Sequence, residues 1–415
     1  MGRNKAIIFI LSGAFIFGFA ARRAPQASVN ASFAPQSASP VHFTAGGNAA
    51  EIPAKFVGNL VFLPVRVNDG KPSLFELDST AQASSIDSGR AAEVSLSADN
   101  SAPGTNGATA QAIRNVLIAL PGVDVPLGSI ALFAPKDFGA IVGRPYEGSL
   151  GGDFLSRVVV EIDYGRETVR LYDSSSYHYD GKGSVLPVTF AGGLPLIRAK
   201  FTGPRGKSVD TNFIVNTALD SGVVVSNHFA EVHHLFSTHM PTASSSDPEL
   251  DGGASEAIAR MKEFQIGRFI VQDAIADFPQ MEIAAAGNAE VGGAIGGAML
   301  RRYVVTFDFP HQQIIFTPSS GFRLFDQEDK SGLTLIAGGA DLKRFEVQQV
   351  QPGSSAAQAG IQKGDVIAGI DNEPGADMTL ASVRELFRLI PHKYKLLIQR
   401  GDQTLDVTLE MRHRI

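Results

Sequence analysis

Residues 213–226 read Phe-Ile-Val-Asn-Thr-Ala-Leu-Asp-Ser-Gly-Val-Val-Val-Ser. Three apolar residues run into a short polar turn and three valines leave it, the pattern of two buried strands joined through a tight turn. A second stretch has the same shape: Leu74 to Leu77 (Leu-Phe-Glu-Leu) feeds into Asp78-Ser79-Thr80-Ala81, and an apolar position returns at Ile86. The runs Leu60 to Val67 and Leu74 to Leu77 flank Asn68-Asp69-Gly70-Lys71, a hairpin signal.

The two turns belong to a longer internal repeat. Residues 150–164 read Leu-Gly-Gly-Asp-Phe-Leu-Ser-Arg-Val-Val-Val-Glu-Ile-Asp-Tyr, and residues 295–309 read Ile-Gly-Gly-Ala-Met-Leu-Arg-Arg-Tyr-Val-Val-Thr-Phe-Asp-Phe. The alignment pairs Gly151 with Gly296, Gly152 with Gly297, Leu155 with Leu300, Arg157 with Arg302 and Asp163 with Asp308. Each block follows one strand-turn-strand unit and precedes a further alternating strand, at 168–172 and 313–317. The chain therefore divides into two homologous lobes, 51–180 and 181–322. Helices are expected only as short pieces, at 227–235 and 298–302.

This arrangement, an apolar strand, an Asp/Ser/Thr-bearing turn, a loop-rich middle and a Gly-Gly-x-x-Leu-x-Arg block in each lobe, resembles the bacterial retropepsin-like and pepsin-like aspartyl protease family. The resemblance covers about 270 residues and implies a mainly β fold of two acid-protease β-barrels. It also implies a catalytic pair with one carboxylate from each lobe. Two like charges that close cannot both ionise, so such a pair shares a proton, one member acting as base while the other donates. Asp78 takes the first position. The second falls on Asn216, which can hydrogen-bond as an Asp does but carries no titratable proton. Thr80 and Ala218 stand where the family has Gly, and a Cβ there is expected to disturb the carboxylate. Asp220-Ser221-Gly222 offers an alternative frame, with Asp220 as partner of Asp78. The strand spacing favours Asn216, since Phe213 to Val215 and Val223 to Val225 then match the spacing from Asp78 to Ile86.

Beyond residue 322 the character changes. Phe345 to Val350, the run Gln351-Pro352-Gly353 to Gly360-Ile361, and Lys363-Gly364-Asp365-Val366-Ile367 read as strand, short helix, tight turn and strand. This resembles a PDZ domain of the kind attached to secreted bacterial peptidases, and residues 323–415 are assigned to it. Leu380, Val383, Leu386, Phe387 and Ile390 recur at helical spacing. The resemblance implies that an extended peptide or a protein C-terminus adds beside the sheet. Ser331-Gly332-Leu333-Thr334 would be the carboxylate loop and the helix carrying Val383 and Leu386 the wall, although those two side chains would serve equally well as core.

Composition bounds the rest. At 415 residues, with 44% hydrophobic and 19% charged residues, the chain is long enough for two or three folded units. A formal net charge of -6 and the lack of basic runs argue against nucleic acid as a partner. Absence of cysteine excludes disulfides and thiolate metal sites. His228, His233, His234 and His239 lie near one short helix without metal-ligand spacing and read as a solvated face, so neither metal nor cofactor is expected. Arg3 and Lys5 precede the apolar run Ala6 to Ala20, which reads as a signal peptide (1–21) followed by a flexible leader (22–50). The remainder is then extracytoplasmic, periplasmic or secreted, with membrane contact only if the segment stays uncleaved ahead of Arg22 and Arg23. Two functional classes follow: an exported aspartic-endopeptidase-like protein with a degenerate pair, or a peptide-binding adaptor that holds peptides without cutting.

Overall fold

The computed structural model describes residues 10–11, 14–15 and 39–415, apart from 94–98, 104–108, 134, 136, 236–242, 247–254, 280–289 and 390–391. Most of the expected signal segment, residues 22–38 of the leader, the tip of the loop at 100–108 and His239 lie outside the described residues.

The chain is mainly β, in two barrel-like lobes followed by a smaller α+β unit. The two lobes repeat one connectivity. In the first, Ser73–Leu77 enters the turn and Ser85–Ile86 leaves it. Gly148–Leu150 lies between them, parallel to the entering strand (Leu150 opposite Leu77) and antiparallel to the leaving one (Ser149 opposite Ser85). In the second, Val291–Ile295 lies between Ser208–Val215 and Val223–Val225, with Ile295 opposite both Val215 and Val223. A further strand runs parallel to each leaving strand, Val123–Leu132 in one lobe and Ile275–Pro279 in the other. Interior strands covered on both faces need continuous apolar runs, and Val223, Val224 and Val225 are all buried.

The repeated Gly pair has a steric origin. A Cβ on Gly151 would lie 2.8 Å from the Ala81 carbonyl oxygen, and one on Gly296 only 2.3 Å from that of Ser221. The next amides, of Gly152 and Gly297, donate to Ala81 O and Leu219 O at 2.7 Å each. Each Gly-Gly thus stitches its strand to the back of its turn, and the short helices Gly152–Leu155 and Gly297–Leu300 start there.

The lobes share a base. Val158–Asp163 and Tyr303–Asp308 run antiparallel at the centre of a six-stranded sheet, with Val160 opposite Phe307 and Ile162 opposite Val305. One apolar core continues from Ile52 through both lobes to Phe316. The repeat's arginines hold its two margins: Arg157 donates to the Ser39 carbonyl, and Arg302 pairs with Asp326 at 2.6 Å. The expectation of a structureless leader to residue 50 is corrected at its end. His42–Phe43 pairs with Val123–Leu132, and Ala49–Ile52 completes the six-stranded sheet beside Thr168–Asp173, burying Ile52.

The last unit has its own core around Phe345, Val347, Ile367, Val383, Phe387 and Ile398. Its sheet has Leu333–Gly338 at one edge. The helix Leu380–Leu386 opens on a capping box, Thr379 Oγ1 accepting from Ser382 N at 3.1 Å and Ser382 Oγ from Thr379 N at 3.0 Å. This unit is docked on the lobes rather than tethered. The first-lobe helix Phe138–Val142 packs against the edge strand, and its capping Gly143, at φ +79°, leaves no room for a Cβ beside Leu380.

Gly296→Ala is expected to lower stability by about 1–3 kcal/mol, the usual cost of forcing an extra methyl into a packed site. The urea midpoint reads this directly; an unchanged midpoint would mean that the Ser221 carbonyl gives way freely.

Candidate functional site

The two turns meet at the floor between the lobes. Ser79 N donates to Thr217 Oγ1 (2.9 Å), and Thr217 N donates to Ser79 Oγ (3.1 Å). The hydroxyls then cross over, Ser79 Oγ donating to Val215 O and Thr217 Oγ1 to Leu77 O. Every one of these bonds crosses from one lobe to the other. The preceding residues, Asp78 and Asn216, are thereby set side by side, with 0% and 1% of their surface exposed. Their amides are fixed alike from behind, Asp78 N to Leu150 O and Asn216 N to Ile295 O.

Asp78 Oδ1 accepts from Thr80 N (2.9 Å), Thr80 Oγ1 (2.7 Å) and Ala81 N (3.1 Å). Asn216 Oδ1 accepts from Ala218 N at 2.9 Å. The Cβ atoms of Thr80 and Ala218 thus do not obstruct the turns as expected from sequence: both backbone amides still reach their acceptors, and Thr80 adds a hydroxyl donor. Among the described residues, Asp78 Oδ2 and Asn216 Nδ2 are buried without a hydrogen-bond partner. The pair is joined through Ser79 and Thr217, not by a direct bond. It leaves one acceptor and one donor unsatisfied, the kinds of group needed to hold a hydroxyl or a hydrated carbonyl.

Burial pushes the Asp78 carboxyl up to about 6, against the Thr80 and Ala81 hydrogen bonds that pull it down. Asp153, buried behind the same turn and bonded by Ser84 N and Oγ, is likewise pushed up to about 6 by desolvation.

Asp220 lies elsewhere. Its Oδ1 accepts from Asn59 N (2.6 Å) and Asn59 Nδ2 (2.8 Å), and its carbonyl accepts from Asn59 Nδ2 at 2.9 Å. The first lobe's counterpart, four residues after Asp78, is Gln82, whose Nε2 donates to Gly192 O at 2.7 Å. Each turn therefore sends its fifth residue to a glycine hairpin of the opposite lobe, Gly58-Asn59 or Gly192-Gly193. That pseudo-symmetry explains Asp220 as a clamp between lobes, and only the fold reveals it.

The residues singled out in the last unit fall differently. Gly332 adopts φ +72°, and a Cβ there would collide with Ser354. The loop amides are already engaged: Ser331 N and Gly332 N donate to Asp329 Oδ1 at 2.8 and 3.0 Å, and Leu333 N to Ser331 Oγ at 3.0 Å. The expectation that this loop offers free N–H groups to a carboxylate is corrected, because Asp329 supplies an internal one. Val383 is wholly buried in the core and is not a groove wall, whereas Leu386 packs against that core while staying half-buried. The helix instead turns Arg384, Glu385 and Arg388 towards the lobes, where they line a cavity with Leu333, Thr334 and Leu335. Of the histidines, His233 pairs with Glu290 at 3.2 Å and packs at a tilt against Phe229.

Comparison with known proteins identifies the last unit. Residues 319–399 match the family model of the PDZ domain, and the C-terminal unit is a PDZ domain. No curated protein matches the chain. Among solved structures, the aspartic proteinase from Irpex lacteus is similar over 66% of this chain and 98% of its own, at 13% identity and a TM-score of 0.39. The HtrA3 PDZ domain bound to the phage-derived ligand FGRWV is similar over 21% of this chain and 88% of its own, at 21% identity and a TM-score of 0.19. The photosystem II D1 C-terminal processing protease is similar over 21% of this chain and 23% of its own, at 23% identity and a TM-score of 0.19.

Because the folded chain binds the Asp78 proton more tightly than the unfolded one, ionised Asp78 is a destabilising group above about pH 6 and costs nothing below its ordinary 3.8. Asp78→Asn keeps an acceptor for Thr80 and Ala81 and removes the charge. It is expected to stabilise the chain by about 2–3 kcal/mol at pH 7.5, a gain that vanishes by pH 4. Urea denaturation at both pH values checks this; equal differences at the two would contradict it.

Proposed function

We propose that this chain is an exported aspartic-endopeptidase-like protein that takes extended peptides into the cleft above Asp78 and Asn216, and that its hydrolytic step is weak or lost. The observation that carries the reading is the reciprocal Ser79/Thr217 contact, which brings the two turns to one floor with Asp78 and Asn216 in matching places.

The chemistry follows from the pair. In an Asp/Asp pair with one shared proton, one carboxylate accepts and the protonated partner donates. Ionised Asp78 beside the Asn216 amide has the same charge and the same donor and acceptor. Asp78 can therefore orient and deprotonate a water, and Asn216 can donate to a carbonyl oxygen. An amide cannot give up its proton, so the carbonyl oxygen is hydrogen-bonded but not protonated, and the proton that Asp78 takes from water is the only one the pair can deliver to the leaving nitrogen. General acid catalysis of this kind is worth about 10²–10⁴-fold. Binding is retained while turnover suffers, which favours a peptide-holding role, the PDZ domain supplying a second contact with a peptide end.

Mature wild-type protein, Asn216→Asp and Asp78→Ala are to be compared on a denatured protein substrate from pH 3 to 7. Asn216→Asp is expected to raise cleavage about 10²–10⁴-fold over wild type, and any wild-type cleavage is expected to vanish in Asp78→Ala. Wild-type cleavage that survives Asp78→Ala, or an Asn216→Asp variant that folds and binds peptide without gaining turnover, would defeat the assignment.

A further inference from the structure

The junction between the second lobe and the PDZ domain encloses a cavity of about 330 Å³. The lobe contributes Arg301, Ile258 and Ile275, and the PDZ domain contributes the start of its edge strand, Leu333 to Leu335, with Arg384 and Arg388 of its helix. An adjoining cavity of about 260 Å³ shares Arg301, Arg384 and Arg388 as its wall.

The charges here are unequally committed. Asp220 is taken by Asn59, Asp326 by Arg302, Glu328 by Arg260, and Asp329 by its own loop. Asp277 is largely buried, and Glu385 lies 3.8 Å from Arg388. Among the described residues the Arg301 side chain has no hydrogen-bond or ion-pair partner. Arg384 has only the Leu335 carbonyl, to which Nη2 donates at 3.0 Å. That carbonyl belongs to the edge strand, on the side where an added strand would pair. A guanidinium has five N–H donors, so most of both forks are available to an anion. The PDZ loop cannot serve instead, since its amides already hold Asp329. The helix Phe138–Val142 stands on the same edge strand, and the strand residues lining the cavity end at Leu335.

We propose that this junction is a composite receptor for a peptide C-terminus: Arg301 of the lobe and Arg384 of the PDZ helix hold the terminal carboxylate, and the last residues of the peptide lie beside Leu333 to Leu335. This rests on the PDZ domain acting as a peptide binder, but it places half of the carboxylate site on the other domain. A PDZ ligand would then bridge the two units and report on their docking.

The test uses the full chain. C-terminal heptapeptides selected on it from a random displayed library are synthesised as free acids and as amides, and binding is read by fluorescence polarisation. Amidation and Arg301→Gln are each expected to weaken the free acid by about tenfold or more, the loss of one charge-assisted hydrogen bond. Arg301→Gln should leave the amide unaffected and the melting temperature unchanged, because its side chain bonds nothing among the described residues. Unchanged free-acid affinity in Arg301→Gln, with loss in Arg384→Gln, would overturn the composite site and leave the PDZ reading standing. Selection of no binder would overturn both.

Discussion

Four buried hydrogen bonds between Ser79 and Thr217 and the strands behind them set the geometry on which the rest depends. Each contributes only about 0.5–1.5 kcal/mol net, but each group left unpaired at that depth would cost about 1–3 kcal/mol. The arrangement is therefore strongly specified. It aligns the two turns, and the Gly-Gly blocks behind them prevent retreat, since no Cβ fits between turn and strand. Asp78 and Asn216 inherit their positions from this lock rather than from any bond to each other.

The asymmetry of the pair then has a clear physical meaning. Burial and the backbone bond behind each residue are nearly equivalent in the two lobes; the differences are a titratable proton and the two further donors, Thr80 Oγ1 and Ala81 N, that Asp78 accepts from. The Asp78 carboxyl is pushed up by burial to about 6, so its charge state changes over mildly acidic pH while Asn216 never changes. Only Asp78 of the two can therefore gain or lose a proton.

The PDZ domain is held by a chain of charged contacts. Arg302 pairs with Asp326, Arg260 with Glu328, and the fully buried Lys330 donates to Gln327, to Glu328 O and to Arg388 O. Breaking a buried pair leaves an uncompensated charge, so these contacts specify one docking geometry even where their net stability is modest. Arg302 belongs to the lobe repeat, and its counterpart Arg157 holds the segment before the first lobe. One repeated residue has thus been put to use at both ends of the bilobal unit.

The sequence by itself determined the mainly β plan, the two-lobe repeat and the C-terminal PDZ domain, because these follow from periodic apolar runs, a long self-alignment and ordered turn signals, all local along the chain. It also showed that Asn216, unlike Asp78, carries no titratable proton, since that is a property of residue type. What only the tertiary structure decided are the relations across lobes and domains. Asp220 reads as a motif in sequence and is a clamp to Asn59 in space, because its partner is 161 positions away. Thr80 reads as an obstruction and is a donor, since the turn directs its hydroxyl back to Asp78. Val383 has the right spacing for a wall but is wholly buried in the core, and Gly332 lies in a loop whose amides Asp329 already engages. Arg301 carries no sequence signal at all: a charge becomes significant there only when folding commits Asp220, Asp326, Glu328 and Asp329 elsewhere and leaves that guanidinium without a partner among the described residues.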